Sequence, residues 1–96
     1  MAKFEAKKEI PEMAVSECYQ KCVEGIESAG YKIFKTRDLA NLIICNETSD
    51  GKKINLSLMV PFGSPTTINL SLSSEIMDEN DLQVEADRIL DILLSP

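Results

Sequence analysis

Three cysteines carry most of the reactive potential of this 96-residue chain. Cys18 and Cys22 stand four residues apart, one turn of a helix, and Cys45 falls in a segment whose alternation reads as a strand facing the same interior. Three thiolates could hold a soft metal or support redox chemistry. Structural zinc nearly always takes four ligands, however, and with no His in the chain the fourth would have to be a carboxylate or water, which suits an apolar stripe poorly. The expectation is that all three serve as small buried hydrophobes, with no metal and no cofactor. An odd number of unpaired cysteines favours a reducing compartment, and a cytoplasmic location is expected.

The absence of His and Trp removes the commonest general acid/base and the best cation-binding aromatic. The chain is therefore not expected to be an enzyme. Asp78-Glu79-Asn80-Asp81 lacks the Gly at position six and the bidentate Glu at position twelve of a calcium loop, and reads as a helix cap. Asn46-Glu47-Thr48, Asn55-Leu56-Ser57 and Asn69-Leu70-Ser71 match the N-glycosylation pattern but sit inside strands, where alternation produces them. The net charge of −6 arises late: residues 1–74 hold nine acids and nine bases, residues 75–96 seven acids and Arg88. No basic stripe suited to a phosphate backbone stands out, so nucleic acid is not expected as a partner. The longest apolar runs, Leu42 to Cys45 and Ile92 to Leu94, fall far short of the roughly 20 residues of a membrane span. The N-terminal residues mix both charges and lack the apolar stretch of a signal peptide.

The elements that must position these residues follow from periodicity. Ile10-Pro11-Glu12 predicts a helix start and Gly30 its end, with Val15, Cys18, Cys22, Ile26 and Ala29 as the buried stripe. Its small residues, Gly25 among them, would let it lie close against a sheet. Tyr31 to Lys35 and Asn41 to Thr48 read as strands with a turn at Thr36 to Asp38. Asp50-Gly51 predicts a two-residue type I′ turn, which pairs Glu47 with Ile54, Cys45 with Leu56 and Ile43 with Leu58. A slip of one residue would bury Leu42 and Ile44 instead of Ile43 and Cys45.

The pentapeptide Ile-Asn-Leu-Ser-Leu occurs twice, at residues 54–58 and 68–72, joined across Pro61-Phe62-Gly63-Ser64-Pro65. Antiparallel pairing of Ile54 with Leu72, Leu56 with Leu70 and Leu58 with Ile68 puts every aliphatic side chain on one face. Leu82, Ala86, Ile89 and Leu93 form the stripe of a last helix. The predicted architecture is α+β: one domain over 1–96 in two layers, helix, four antiparallel strands, helix, both helices on the single aliphatic face. Residues 1–10 are expected to be an extended or flexible N-terminal segment.

The other face of that sheet is then open. Asn55, Ser57, Asn69 and Ser71, with Thr67 and Ser73, make it flat and uncharged, and Leu42, Ile44 and Met59 add apolar area to it. A merely solvated sheet usually carries Lys and Glu, so an uncharged centre points to contact. Phe62, at a loop tip between prolines, could anchor a partner.

A small-residue helix ending in Ala29-Gly30-Tyr31-Lys32-Ile33, then Ile43-Ile44-Cys45, the Gly51 turn and two alternating strands before a final helix resemble small bacterial domains of unknown function. Such domains place two helices on a four-stranded sheet and often occur in lipoproteins; this chain shows no lipobox cysteine. A looser resemblance is to the acidic dimeric chaperones of bacterial secretion systems, which contain an additional interior helix. The uncharged open face leads to the expectation of a non-enzymatic interaction module that binds a protein partner or itself, as a homodimer, through that face or an edge strand. Two alternatives stay open: a carrier gripping a small apolar ligand between helices and sheet, and a secretion-chaperone-like protein.

Overall fold

Alternation of side chains begins earlier than expected. The computed structural model describes residues 1–94, and in it Ala2–Glu9 is a strand, β1, turning Ala2, Phe4 and Ala6 toward the core and Lys3, Glu5 and Lys7 outward. It is followed by α1 (Val15–Ser28), β2 (Tyr31–Arg37), a 3-10 turn at Asp38–Ala40, β3 (Leu42–Thr48), β4 (Asn55–Met59), β5 (Thr67–Ser74) and α2 (Glu79–Leu93). The expected four strands are thus five, in the antiparallel order β1-β5-β4-β3-β2. Ala, Lys and Glu are poor strand formers, so β1 exists through its partner and not through propensity. It pairs with β5 at eight successive positions, from Ala2 opposite Ser74 to Glu9 opposite Thr67.

The sheet order explains where the helices go. β1 and β2 run in the same direction at opposite edges, so the chain must cross over one face between them, and α1 is that crossover. α2 then returns over the same face, packing on α1, β1 and β5. One cluster of buried residues lies between the layers: Cys18, Cys22 and Ile26 from α1, Leu82, Ala86, Ile89 and Leu93 from α2, and the aliphatic positions of the sheet.

Several expected details shift, each for a local reason. α1 begins at Val15, not Pro11, because the Ile10 amide still donates to the Thr66 carbonyl (2.7 Å) and continues the sheet. Pro11 to Met13 is a turn that lifts the chain to the helix layer, pinned by the Thr66 hydroxyl donating to the Met13 carbonyl (2.6 Å). The hairpin after β3 has a three-residue loop instead of a two-residue one. Gly51 alone takes positive φ (89°), its amide donates to the Thr48 carbonyl (3.0 Å), and the Thr48 amide donates to the Lys52 carbonyl (3.0 Å). That is a type I turn closed by a glycine in the left-handed region, whereas type I′ would need positive φ at Asp50 too. Thr48 dictates the choice: its hydroxyl donates to the Asp50 carboxylate and accepts from the Lys52 amide (2.9 Å).

Ile43 opposite Leu58 and Cys45 opposite Leu56 are paired as expected, and both Ile43 and Cys45 are fully buried, which decides the register. Glu47 does not reach Ile54. β3 bulges at Asn46, and Glu47 pairs with Lys32 and accepts from Lys53 (2.9 Å). The two pentapeptides are offset by two residues from the expected pairing, with Leu56 opposite Leu72 and Leu58 opposite Leu70. A two-residue shift preserves the face of every side chain. Its cause is Val60, buried and bonded through its amide to the Asn41 carbonyl (3.0 Å), which lengthens the loop, while Ile68 pairs with Lys8 of β1.

Gly25 brings α1 close to α2, not to the sheet. A Cβ there would stand 2.5 Å from Leu93 Cδ2 and 3.4 Å from Leu93 Cα, in a site where Leu93 is buried. Gly25→Val is expected to lower stability by about 1–3 kcal/mol through overpacking. Equilibrium denaturation checks this, and the double variant with Leu93→Ala should lose less stability than the sum of the two single losses.

Candidate functional site

The face of the sheet turned away from the helices is built in rows by the strand register. One row runs Arg37, Leu42, Met59, Asn69, Lys7; the next runs Lys35, Ile44, Ser57, Ser71, Glu5; a third carries Asn55, Ser73 and Lys3. Three central strands are therefore uncharged along these rows, and both edges are charged. Leu42 and Ile44 are half-buried among their neighbours and Met59 is exposed, with Leu42 directly opposite Met59, so the apolar side chains adjoin at the β3–β4 seam.

Between that seam and β1 lies a shallow depression of ≈ 480 Å³. It is lined by the short side chains of Ser57 and Ser71 together with the longer ones of Leu42, Met59, Glu5 and Lys7. Of the expected residues, Leu42, Ser57, Met59, Asn69 and Ser71 line it; Ile44 and Asn55 share the face outside it. Phe62 does not line it. That ring is exposed in the β4–β5 loop, beyond the end of the strands. Glu5, Ala6 and Lys7 line the depression without having been expected there. Their signal was present in the sequence as alternation of Ala2, Phe4 and Ala6 with Lys3, Glu5 and Lys7.

The thiols lie elsewhere. Cys18, Cys22 and Cys45 are free and buried between the layers, each at 1 % exposure or less. Burial pushes all three up: Cys45 to about 11, Cys18 and Cys22 upward as well, with Cys22 raised further by its neighbour Cys18. Protonated thiols are poor nucleophiles and poor metal ligands. Among the described residues no group of three or more His, Cys, Asp or Glu side chains could hold a metal ion. In the native protein at pH 8 a chromogenic disulfide reagent should leave all three thiols unmodified over minutes and react with all three once denaturant is added; rapid native reaction of one would contradict the burial.

A second polar cluster was not foreseen. Tyr31 donates to Glu85 Oε2 (2.6 Å), Arg88 donates to both Glu85 oxygens (2.9 and 2.6 Å), and Arg88 Nη2 also donates to the Ala29 carbonyl at the end of α1 (2.9 Å). It borders a hollow of ≈ 390 Å³ shared with Thr48, Asp50 and Lys52. These groups satisfy one another and tie α2 to α1 and β2, and only the i,i+3 spacing of Glu85 and Arg88 was visible in the sequence. Burial alone would raise the Glu85 carboxyl, but the donors from Arg88 and Tyr31 outweigh it and hold it below the ordinary range. Tyr31 is pushed upward by burial and by the Glu85 charge. A lowered carboxylate stabilises the fold fully above its unfolded pKa, about 4.3, and that share is lost as pH falls through the lower native value. Glu85→Ala should cost about 1–3 kcal/mol at pH 7, by leaving Tyr31 and Arg88 short of a partner, and the deficit relative to wild type should shrink below pH 4. Urea unfolding at pH 7 and pH 3.5 measures both.

No helix among the described residues is long and apolar enough to cross a membrane. Compared with known proteins, the chain matches no family model, no curated protein and no solved structure.

Proposed function

We propose that this chain is a non-enzymatic protein-interaction module that binds itself or a protein partner through the open sheet face or an edge strand. One observation carries the reading: a concave, uncharged centre with an apolar seam at Leu42 and Met59, bounded by charged edge strands. That is the anatomy of a small contact surface, apolar and neutral inside with charge at the rim. A face whose only task was to meet water would gain nothing from keeping charge out of the Leu42–Met59–Asn69 and Ile44–Ser57–Ser71 rows.

The layers differ in charge, which supports the same side. α1 holds three acids and Lys21, α2 five acids and Arg88, so the helices carry all six negative charges of the net balance. The rest of the chain is neutral. An acidic helix layer keeps copies from stacking on its outer surface and leaves the sheet, face and edges, as the approachable part. The ligand-carrier alternative draws less support, because the space beside Gly25 is filled by Leu93.

A photo-crosslinking side chain at Ser57, on the open face, should give a discrete adduct of higher mass with a second copy or a partner. The same group at Gln20, exposed on α1, should give none. Equal yields from both positions, or adducts from Gln20 alone, would sink the reading.

A further inference from the structure

We infer that β1 is the pairing edge for a second copy of this chain, two protomers joining β1 to β1 antiparallel about a two-fold axis at Ala6. This narrows the interaction reading above to one edge and one partner and rests on it.

The two edges of the sheet are unlike. β2 is interrupted by register shifts at Lys32/Ile33 and Ile33/Lys35 and throws Phe34 outward, a device that spoils an edge for further pairing. β1 has no such defence. Its register with β5 is unbroken over eight residues, it contains no proline, and it lies at the other end of the sheet. The Ile10 amide donates to the Thr66 carbonyl, one step beyond Glu9 opposite Thr67, so the even-numbered residues bond inward to β5. The N–H and C=O groups of Lys3, Glu5, Lys7 and Glu9 therefore point away from the sheet, available to another strand.

Charge selects the partner and the register. Centred on Ala6, an antiparallel copy sets Lys3 opposite Glu9 and Glu5 opposite Lys7, so each outward pair is of opposite sign. Centred one residue away on Glu5, the pairing would set Glu5 against Glu5 and Lys3 against Lys7. A single-signed edge repels its own copy; alternating signs accept it in a register that opposes unlike charges. The odd residues are also the ones whose backbone groups point outward, so the same alignment satisfies both hydrogen bonds and charge.

The helix side of this edge is also incomplete. A groove of ≈ 590 Å³ runs between β1 and α2, lined in part by Ala6, Lys8, Leu90 and Leu94. Leu90 and Leu94 pack only partly against the core. A two-fold axis at Ala6 brings this groove against its own copy and covers those side chains. Asp87 and Asp91 border the groove beside Lys7 and Lys8, which supplies counter-charge where the two copies of α2 approach. The interface is isologous and closes at two subunits, and it extends the open face across both.

Charge reversal on the outward residues tests it. Lys3→Glu/Lys7→Glu makes the edge all acidic and Glu5→Lys/Glu9→Lys makes it all basic, at exposed positions that bear no core contact. Sedimentation equilibrium at about 100 μM should find wild type dimeric and each variant alone weakened roughly tenfold or more. An equimolar mixture of the two should re-form a one-to-one heterodimer, identified by native mass spectrometry. A further measurement needs no variant: the amides of Lys3, Glu5, Lys7 and Glu9 in wild type should exchange more slowly as concentration rises. A monomeric wild type, a dimer indifferent to both charge reversals, a mixture that fails to associate, or exchange independent of concentration would each overturn the β1 pairing. The crosslink from Ser57 reports on the open face in every case, so an adduct there with no β1 dimer leaves the broader reading standing, and loss of both removes it.

Discussion

The pairing of Leu56 with Leu72 and of Leu58 with Leu70 is the constraint on which the rest of the structure depends. It places two central strands side by side with every aliphatic group on one face, and an antiparallel sheet with one apolar face must cover it. Both helices are drawn to that side because no second apolar face exists to receive either of them. Their stripes of Cys18, Cys22 and Ile26, and of Leu82, Ala86, Ile89 and Leu93, are complementary to it. With both helices committed, the Asn and Ser positions of the same strands are left open together.

Much of this could be read from spacing. Period-two alternation marked the central strands and the faces of their residues, and period-three-to-four recurrence marked both helical stripes. Asp78 capping α2, through its carboxylate on the Asp81 amide at 2.8 Å, follows from side-chain chemistry at a helix start. β1 escaped because its alternation is between Ala or Phe and charged residues, a pattern of low strand propensity that becomes a strand only when β5 lies alongside. The offset between the pentapeptides escaped for a related reason. Either alignment keeps the faces, so periodicity is blind to it, and the decision rests on Val60 and Asn41, residues distant in sequence whose hydrogen bond exists only in the assembled sheet.

The open face was legible as a set of residues but not as a shape. Its composition gave Ser57, Met59, Asn69 and Ser71 as neighbours; its concavity needed β1, whose Glu5 and Lys7 line the depression. The clasp of Tyr31, Glu85 and Arg88 was illegible for the same physical cause, since Tyr31 and Glu85 are 54 residues apart and meet only once α2 has returned over the sheet. Long-range polar contacts leave no period in a sequence. They follow from packing and then secure it, here by fixing one turn of α2 to the carbonyl of Ala29, the residue that caps α1.

The distribution of charge links fold to association. Folding requires only that the helices present apolar stripes inward; it does not require that the two helices carry the whole net charge of −6. Spread evenly, the same acids would repel every approach alike. Concentrated on one layer, they leave a neutral sheet as the side on which two molecules can meet without opposing fields. At the β1 edge the acids and bases alternate, so local attraction depends on alignment and falls off within about one Debye length, roughly 8–10 Å at physiological salt. Charge on the helix layer then excludes wrong faces at long range, and charge on β1 selects a register at contact, two tasks that the same residue types perform at different distances.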